Sequence, residues 1–144
     1  MNSICKNIRL TIFTLLAVTL LTGQASAAEH KMVIQVNTDE LIVQKMALLN
    51  AGNLKKHFGS DNADVEIVIY GPGLSMIKLD SVFSKRIAAL QSNGVNFSVC
   101  EGTLKTIKEK TGSEPKLLAG MKRVKTGALR IIELQEKNWS YMRP

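Results

Sequence analysis

Short apolar, β-branched segments alternate with helix-patterned segments along this chain, and that alternation restricts the possible folds more than any other feature. KMVIQVN (31–37), ADVEIVIYGPG (63–73) and VNFSVC (95–100) are predicted strands, and weaker strands are predicted at MKRV and WSYMRP. Parallel strands need long crossovers, which helices provide. We therefore predict an α/β fold: a three-layer α/β/α sandwich with a mostly parallel five-stranded sheet and flavodoxin-like layering.

Four helices are predicted between these strands. The first covers 40–58, with Thr38 or Asp39 as its N-cap. Three apolar residues fall on one face of this helix: Ile42, Met46 and Leu49. The second covers 80–94 and ends at Gly94, with Phe83, Ile87 and Leu90 in helical phase. The third and fourth helices are predicted over 102–112 and 126–138.

The N-terminal 27 residues have the features of a secretory signal peptide. Lys6 and Arg9 precede an apolar run from Leu10 to Leu21. The A-x-A pattern of Ala25 to Ala27 follows this run. The run is too short to span a bilayer. We predict residues 1–27 as a signal peptide cleaved near Ala27, residues 28–144 as a single domain, a periplasmic location, and no stable membrane insertion after cleavage. The alternative is that the segment remains attached as an uncleaved anchor.

Cleavage would leave one cysteine, Cys100, in a mildly basic domain. The full chain has 19 basic and 12 acidic residues, and loss of Lys6 and Arg9 reduces the net charge from +7 to +5. A single thiol cannot form an internal disulfide. In an oxidising compartment such a thiol is buried and inert, paired between chains, or kept for its reactivity.

The carboxyl ends of parallel strands gather ligands and reactive groups at one edge of a sheet. Three loops qualify: NTDE (37–40), YGPGLS (70–75) and CEGT (100–103). Cys100 ends a strand just before a helix, where free N–H groups and the positive end of the helix dipole can stabilise a thiolate. Glu101 opposes this effect with a negative charge. Gly102 permits close backbone approach, and Thr103 offers a hydroxyl.

Three segments resemble the DsrE/DsrF-like family, in particular its stand-alone, YchN-like single-domain members. They are GVNFSVCEGTL, IVIYGPGLSMIKL, which contains Gly71, and the ending GALRIIELQEKNWSYMRP. The resemblance covers essentially all of the chain after the signal peptide. It implies a five-stranded α/β fold, trimeric or hexameric homo-oligomers and, at Cys100, a cysteine that carries persulfide sulfur. The relay members of that family work inside cells as complexes of different subunits, whereas this chain has an export signal.

Two functional hypotheses follow. In the first, the protein is a sulfur (persulfide) carrier or redox protein, of the sulfurtransferase or sulfur-relay type, that acts through Cys100 with donor and acceptor proteins. In the second, it is a non-catalytic oligomeric module whose strand-end cleft, around Asn37, Tyr70 and Cys100, binds a small ligand or a partner. Gly71, Gly102 and Thr103 complete the candidate binding residues. The sequence predicts no cofactor.

Other chemistry has less support in the sequence. His30 and His57 lack metal-ligand spacing with Cys100, so no metal site is predicted. The glycine-rich segment after the second strand lacks the spacing of a phosphate-binding P-loop. A basic cluster near the fourth loop, formed by Lys116, Lys122, Arg123 and Lys125, could attract an anion or an acidic partner. With 5% aromatic residues and an export signal, we predict no nucleic-acid binding.

Overall fold

The structure is a computed structural model that describes residues 28–144. The predicted signal peptide, residues 1–27, lies outside the described residues. Strands and α-helices alternate in the order β1 (His30–Val36), α1 (Leu41–Phe58), β2 (Ala63–Ile69), α2 (Ser84–Ser92), β3 (Val95–Cys100), α3 (Glu101–Thr111), β4 (Met121–Val124), α4 (Gly127–Gln135) and β5 (Ser140–Met142). A 3₁₀ helix (Gly71–Ile77) follows β2. No helix among the described residues has the length and apolar character needed to cross a membrane.

The five strands form one sheet in the order β4-β3-β2-β1-β5. Every neighbouring pair is parallel, so the predicted α/β fold with a parallel five-stranded sheet is confirmed. From β1 to β4 the chain steps across the sheet in one direction. The connection through α4 then returns to the other side of β1, where β5 pairs with Met32 to Ile34.

The main core lies on the sheet face covered by α1, α2 and α3. Three successive crossovers of one hand in one direction place their helices on the same face. The strands contribute alternate residues to this face, as the two-residue period of a strand requires. Its buried side chains include Ile34, Ile67, Phe97, Leu48, Ile87 and Leu104. The 3₁₀ helix adds Leu74, Met76 and Ile77.

The opposite face is covered by α4 and has a smaller apolar core. Val33 and Val68 of the sheet pack there against Ile131 and Leu134 of α4. Two layers of helices therefore enclose the sheet, as a three-layer sandwich requires, but unequally.

The apolar stripe predicted on α1 faces outward rather than toward the core. Ile42, Met46 and Leu49 are 62%, 44% and 40% exposed. The buried residues of α1 are Gln44, Ala47, Leu48, Ala51 and Lys55. Two of these are polar, and both have partners: the Gln44 amide donates to the Thr38 carbonyl and the Ser75 hydroxyl, and the Lys55 ammonium donates to two carbonyls. Because these hydrogen bonds satisfy the two polar side chains in the interior, α1 can pack on the sheet through a face that is not its most apolar one.

The predicted N-cap of α1 is also wrong. Glu40 occupies the cap position, and no side chain caps the helix. The chain is still extended at Glu40, so Thr38 and Asp39 come too early to cap. The Thr38 hydroxyl instead accepts a hydrogen bond of 3.2 Å from the Glu40 N–H.

Candidate functional site

The three predicted strand-end loops lie at the same edge of the sheet, because β1, β2 and β3 are parallel neighbours. Cys100 is the last residue of β3 and the N-cap residue of α3. Its partner in the sheet is Val124, the last residue of β4. Since α4 begins three residues later at Gly127, the thiol lies near the N-termini of two helices.

Burial and four nearby polar groups act in opposite directions on the pKa of the Cys100 thiol. Burial by itself raises the pKa of the thiol, since only 7% of the residue is exposed. The Thr103 hydroxyl and the N–H groups of Thr103, Gly127 and Gly102 lower the pKa, and together they outweigh burial. The pKa of Cys100 is therefore below its ordinary value, even though Glu101 follows directly, so the thiolate is favoured.

Thr103 lies in the first turn of α3 and connects this helix to the 3₁₀ helix after β2. Its hydroxyl oxygen accepts a hydrogen bond of 2.9 Å from the Gly71 N–H, and the same hydroxyl lowers the pKa of the Cys100 thiol. Gly71 has a φ of 55°, a left-handed conformation that suits glycine. The predicted site residues Gly71 and Thr103 are thus hydrogen-bonded to each other next to Cys100.

Tyr70 lies against the start of α4 and near enough to Cys100 for the two groups to interact electrostatically. A Cβ atom on Gly127 would lie 2.4 Å from a ring carbon of Tyr70. Only a glycine lets the start of α4 come this close to the ring. The pKa of Tyr70 is raised by burial, and then by the nearby Tyr141 and Cys100, while Arg143 opposes them. The ring therefore stays neutral next to the sulfur.

A pocket of about 410 Å³ opens in front of this site. Its lining combines predicted site residues with the exposed side of α3: Gly71, Pro72, Gly102, Thr103, Thr106, Ile107 and Lys110. A Cβ atom on Gly102 would lie 3.5 Å from the Cys100 sulfur, so Gly102 lies between the pocket and the thiol. Lys110 contributes a positive charge at the pocket wall.

Asn37 is the one predicted site residue that lies apart from the thiol. It lines a separate pocket of about 250 Å³ with Gln35, Thr38 and Arg143, among others. Its backbone oxygen comes only within 4.0 Å of where a Cβ atom on Gly71 would be. The structure therefore brings together Cys100, Tyr70, Gly71, Gly102 and Thr103, with Asn37 in the neighbouring pocket.

The structure adds one N–H donor and one charged cluster that the sequence analysis missed. The donor is Gly127, described above. The cluster lies under α4, where Glu66 accepts hydrogen bonds from Ser98 at 2.6 Å and from Arg130 at 2.7 Å. Burial raises the pKa of Glu66, but Arg130 and Ser98 lower it by more. A lone glutamate in the middle of the apolar strand ADVEIVI was the available signal, since buried charges are almost always paired.

The histidines and the basic cluster remain outside this site. The His30 ring stacks on Phe58 with centroids 3.7 Å apart, and His57 meets the same ring edge-on. In the described part of the chain, no three His, Cys, Asp or Glu residues are grouped as metal ligands. Of the predicted basic cluster, Arg123 forms an ion pair with Glu114.

Comparison with known proteins adds a fold relationship and no activity. No family model matches the chain, and no curated protein is detectably similar to it. A solved structure is similar: the protein of unknown function MTH1491 from Methanobacterium thermoautotrophicum. It shares 27% sequence identity, the TM-score is 0.71, and the match covers 80% of this chain and 99% of that one. The parallel α/β fold is thus shared with a protein whose function is itself unknown.

Proposed function

We propose that this protein is a thiol-based sulfur (persulfide) carrier or redox protein that acts through Cys100. The observation that carries the proposal is the convergence of the Thr103 hydroxyl and three backbone N–H groups on one thiol, which lowers its pKa against the effect of burial. Such an environment is typical of reactive cysteines. The resemblance to the DsrE/DsrF-like family supports the same assignment.

In this mechanism the Cys100 thiolate attacks the outer sulfur of a donor persulfide, R–S–SH. A new S–S bond forms at Cys100 while the S–S bond of the donor breaks, so the products are Cys100–S–SH and the donor thiolate. An acceptor thiolate then attacks the outer sulfur of Cys100–S–SH, which regenerates the Cys100 thiolate. No net oxidation occurs in either step. The N–H groups and the Thr103 hydroxyl stabilise the anionic sulfur before and after transfer.

We further propose that the protein works in the periplasm as a homo-oligomer, either a trimer or a hexamer. The signal-peptide pattern supports the location. The exposed apolar residues of α1, namely Leu41, Ile42, Met46 and Leu49, support burial of this face against another copy. Light scattering of the purified protein at micromolar concentration tests this, and a monomer under all conditions would contradict it.

A second candidate function is a non-catalytic module that binds a small ligand or partner, with Cys100 as a structural residue. The low exposure of Cys100, 7%, favours it, since a carrier sulfur must contact its donor. The carrier hypothesis requires movement of the first turn of α3 around Gly102, or of Tyr70, to expose the sulfur.

Intact mass spectrometry distinguishes the two functions. The native protein is incubated with inorganic polysulfide, and the Cys100→Ser variant is the control. A carrier gains the mass of one or more sulfur atoms, a reductant removes them, and Cys100→Ser gains none. If native Cys100 resists both polysulfide and iodoacetamide until the protein is unfolded, the carrier proposal fails and the binding module replaces it.

A further inference from the structure

A third pocket lies at the opposite edge of the sheet from Cys100, between α1 and α2. Its volume is about 420 Å³, within the usual range for small-ligand sites. Its lining residues are Gly52, Asn53, Lys55, Lys56, Ser60, Arg86, Ala89, Leu90 and Asn93. Three of these are cationic, none is acidic, and the two asparagines and Ser60 add neutral hydrogen-bonding groups. We call it the Lys55 pocket.

Lys55 is the central feature of this pocket because it is buried without a counter-ion. It is only 6% exposed. Its ammonium group donates to the Ser60 carbonyl at 3.1 Å and to the Ala63 carbonyl at 2.5 Å. An ammonium group has three N–H donors, so one remains without a protein partner among the described residues. A buried ammonium normally has an anionic partner, because desolvating a lone charge is costly.

No carboxylate is placed to neutralise the pocket. Within the described residues, Lys55, Lys56 and Arg86 take part in no ion pair. Asp61 follows Ser60 in the chain, yet it does not line the pocket. The segment 1–27 contains no Asp or Glu, so it could not supply a side-chain carboxylate either.

The local fold holds Arg86 at the pocket wall. A Cβ atom on Gly52 would lie 3.1 Å from the Arg86 Nη2 atom, so the absence of a side chain at Gly52 lets the guanidinium lie against α1. The C-termini of α1 and α2 also face this edge, and each contributes about half a negative charge. Three full positive charges exceed that contribution, which leaves the pocket positive.

From these features we propose that the Lys55 pocket binds a small tetrahedral oxyanion of the phosphate or sulfate class. The free N–H of Lys55 and the guanidinium of Arg86 would hold two of its oxygens, and Lys56 would add charge at the rim. The volume leaves room for the organic part of a phosphate or sulfate ester. The site is independent of Cys100.

The test uses the purified protein and NMR chemical shifts at low ionic strength, with titrations of inorganic phosphate, sulfate and chloride. We expect saturable shifts from phosphate or sulfate, confined to residues 52–60 and 86–93, and none from chloride at equal ionic strength. Glycerol phosphate distinguishes the source: tighter binding than inorganic phosphate indicates an ester, and weaker binding indicates the free anion.

Matched variants identify the residues responsible. Arg86→Gln and Lys56→Gln change exposed side chains, so both should fold. Arg86→Gln should weaken binding by about tenfold or more, the effect of losing one charge-assisted hydrogen bond, and Lys56→Gln should weaken it less. Lys85→Gln is the control, because Lys85 is exposed on the same helix and does not line the pocket. Equal weakening by Lys85→Gln, or shifts that are linear and the same for chloride, would overturn the proposal.

Discussion

Replacing Thr103 by valine should make Cys100 a poorer nucleophile at neutral pH. Valine keeps the shape and β-branching of threonine and removes only the hydroxyl, the group that lowers the pKa of the Cys100 thiol most. A hydrogen bond to a charged group contributes about 1.5–3 kcal/mol. Below the pKa of the thiol, that loss reduces the thiolate fraction by about 10- to 100-fold.

The rate of alkylation should fall by less than the thiolate fraction. A more basic thiolate is intrinsically more nucleophilic, with a Brønsted slope of about 0.4–0.5. The two effects combine to a rate about 3- to 15-fold lower at neutral pH. Since the folded environment lowers the pKa of Cys100, the wild-type rate should reach half its plateau at a lower pH than that of the unfolded protein, and the midpoint of Thr103→Val should lie at higher pH than that of the wild type.

The assay is the rate of iodoacetamide alkylation as a function of pH, followed by intact mass. Thr103→Ser restores a hydroxyl and should keep most of the wild-type rate. Thr106→Val, one turn along α3, is the matched control: its hydroxyl donates to the Gly102 carbonyl and is not among the groups that act on the sulfur. Urea unfolding checks stability, because Gly71 also loses an acceptor. If Thr103→Val and Thr106→Val show the same pH–rate profile, the Thr103 hydroxyl does not stabilise the thiolate.

Three further predictions concern the packing around α4. Arg130→Met should lower the free energy of unfolding in urea by about 3–5 kcal/mol, because it leaves Glu66 buried without its partner. A loss under about 1 kcal/mol would mean that the pair contributes no more than a surface ion pair. Burial raises the pKa of Glu66, but Arg130 and Ser98 lower it by more, so its stabilising contribution is present above the unfolded pKa of about 4.3 and is lost as pH falls through the lower folded pKa. Glu66→Gln should therefore remove this part of the fall in the free energy of unfolding at acidic pH. An unchanged fall at acidic pH in the variant would contradict this prediction. Gly127→Ala should lower the free energy of unfolding by about 1–3 kcal/mol, because the added methyl group overpacks against the Tyr70 ring. Thermal unfolding measures this, and unchanged stability would show that the ring moves aside without cost.

The strands and the position of the thiol could be predicted from the sequence because they depend on local patterns. The segments VNFSVC and MKRV match β3 and β4 residue for residue. Gly94, predicted to stop the second helix, lies just after the C-terminal end of α2 and has the left-handed φ of 76° that suits a glycine there. Cys100 was expected at a strand-to-helix corner, and the structure places it there.

The outward face of α1 and the full set of donors to Cys100 could not be predicted, because both depend on tertiary contacts. Nothing near Gln44 in the chain shows that Ser75, on another element, will accept its amide hydrogen. Gly127 is 27 residues from Cys100 in sequence, and it reaches the sulfur only because β4 pairs with β3. Its N–H is one of the groups that lower the pKa of Cys100.

The position of β1 between β2 and β5 has a consequence for how the sheet assembles. β5 is only three residues long and is C-terminal to every other described strand, yet it alone covers one edge of β1 at Met32 to Ile34. Until β5 docks, a newly made chain presents the apolar residues Val33 and Ile34 on an unpaired strand edge, which is a template for pairing with another chain. Proteolysis or a premature stop before Ser140 would leave that edge permanently open. Truncated forms should therefore aggregate, even though most residues of the main core precede β5 in the chain.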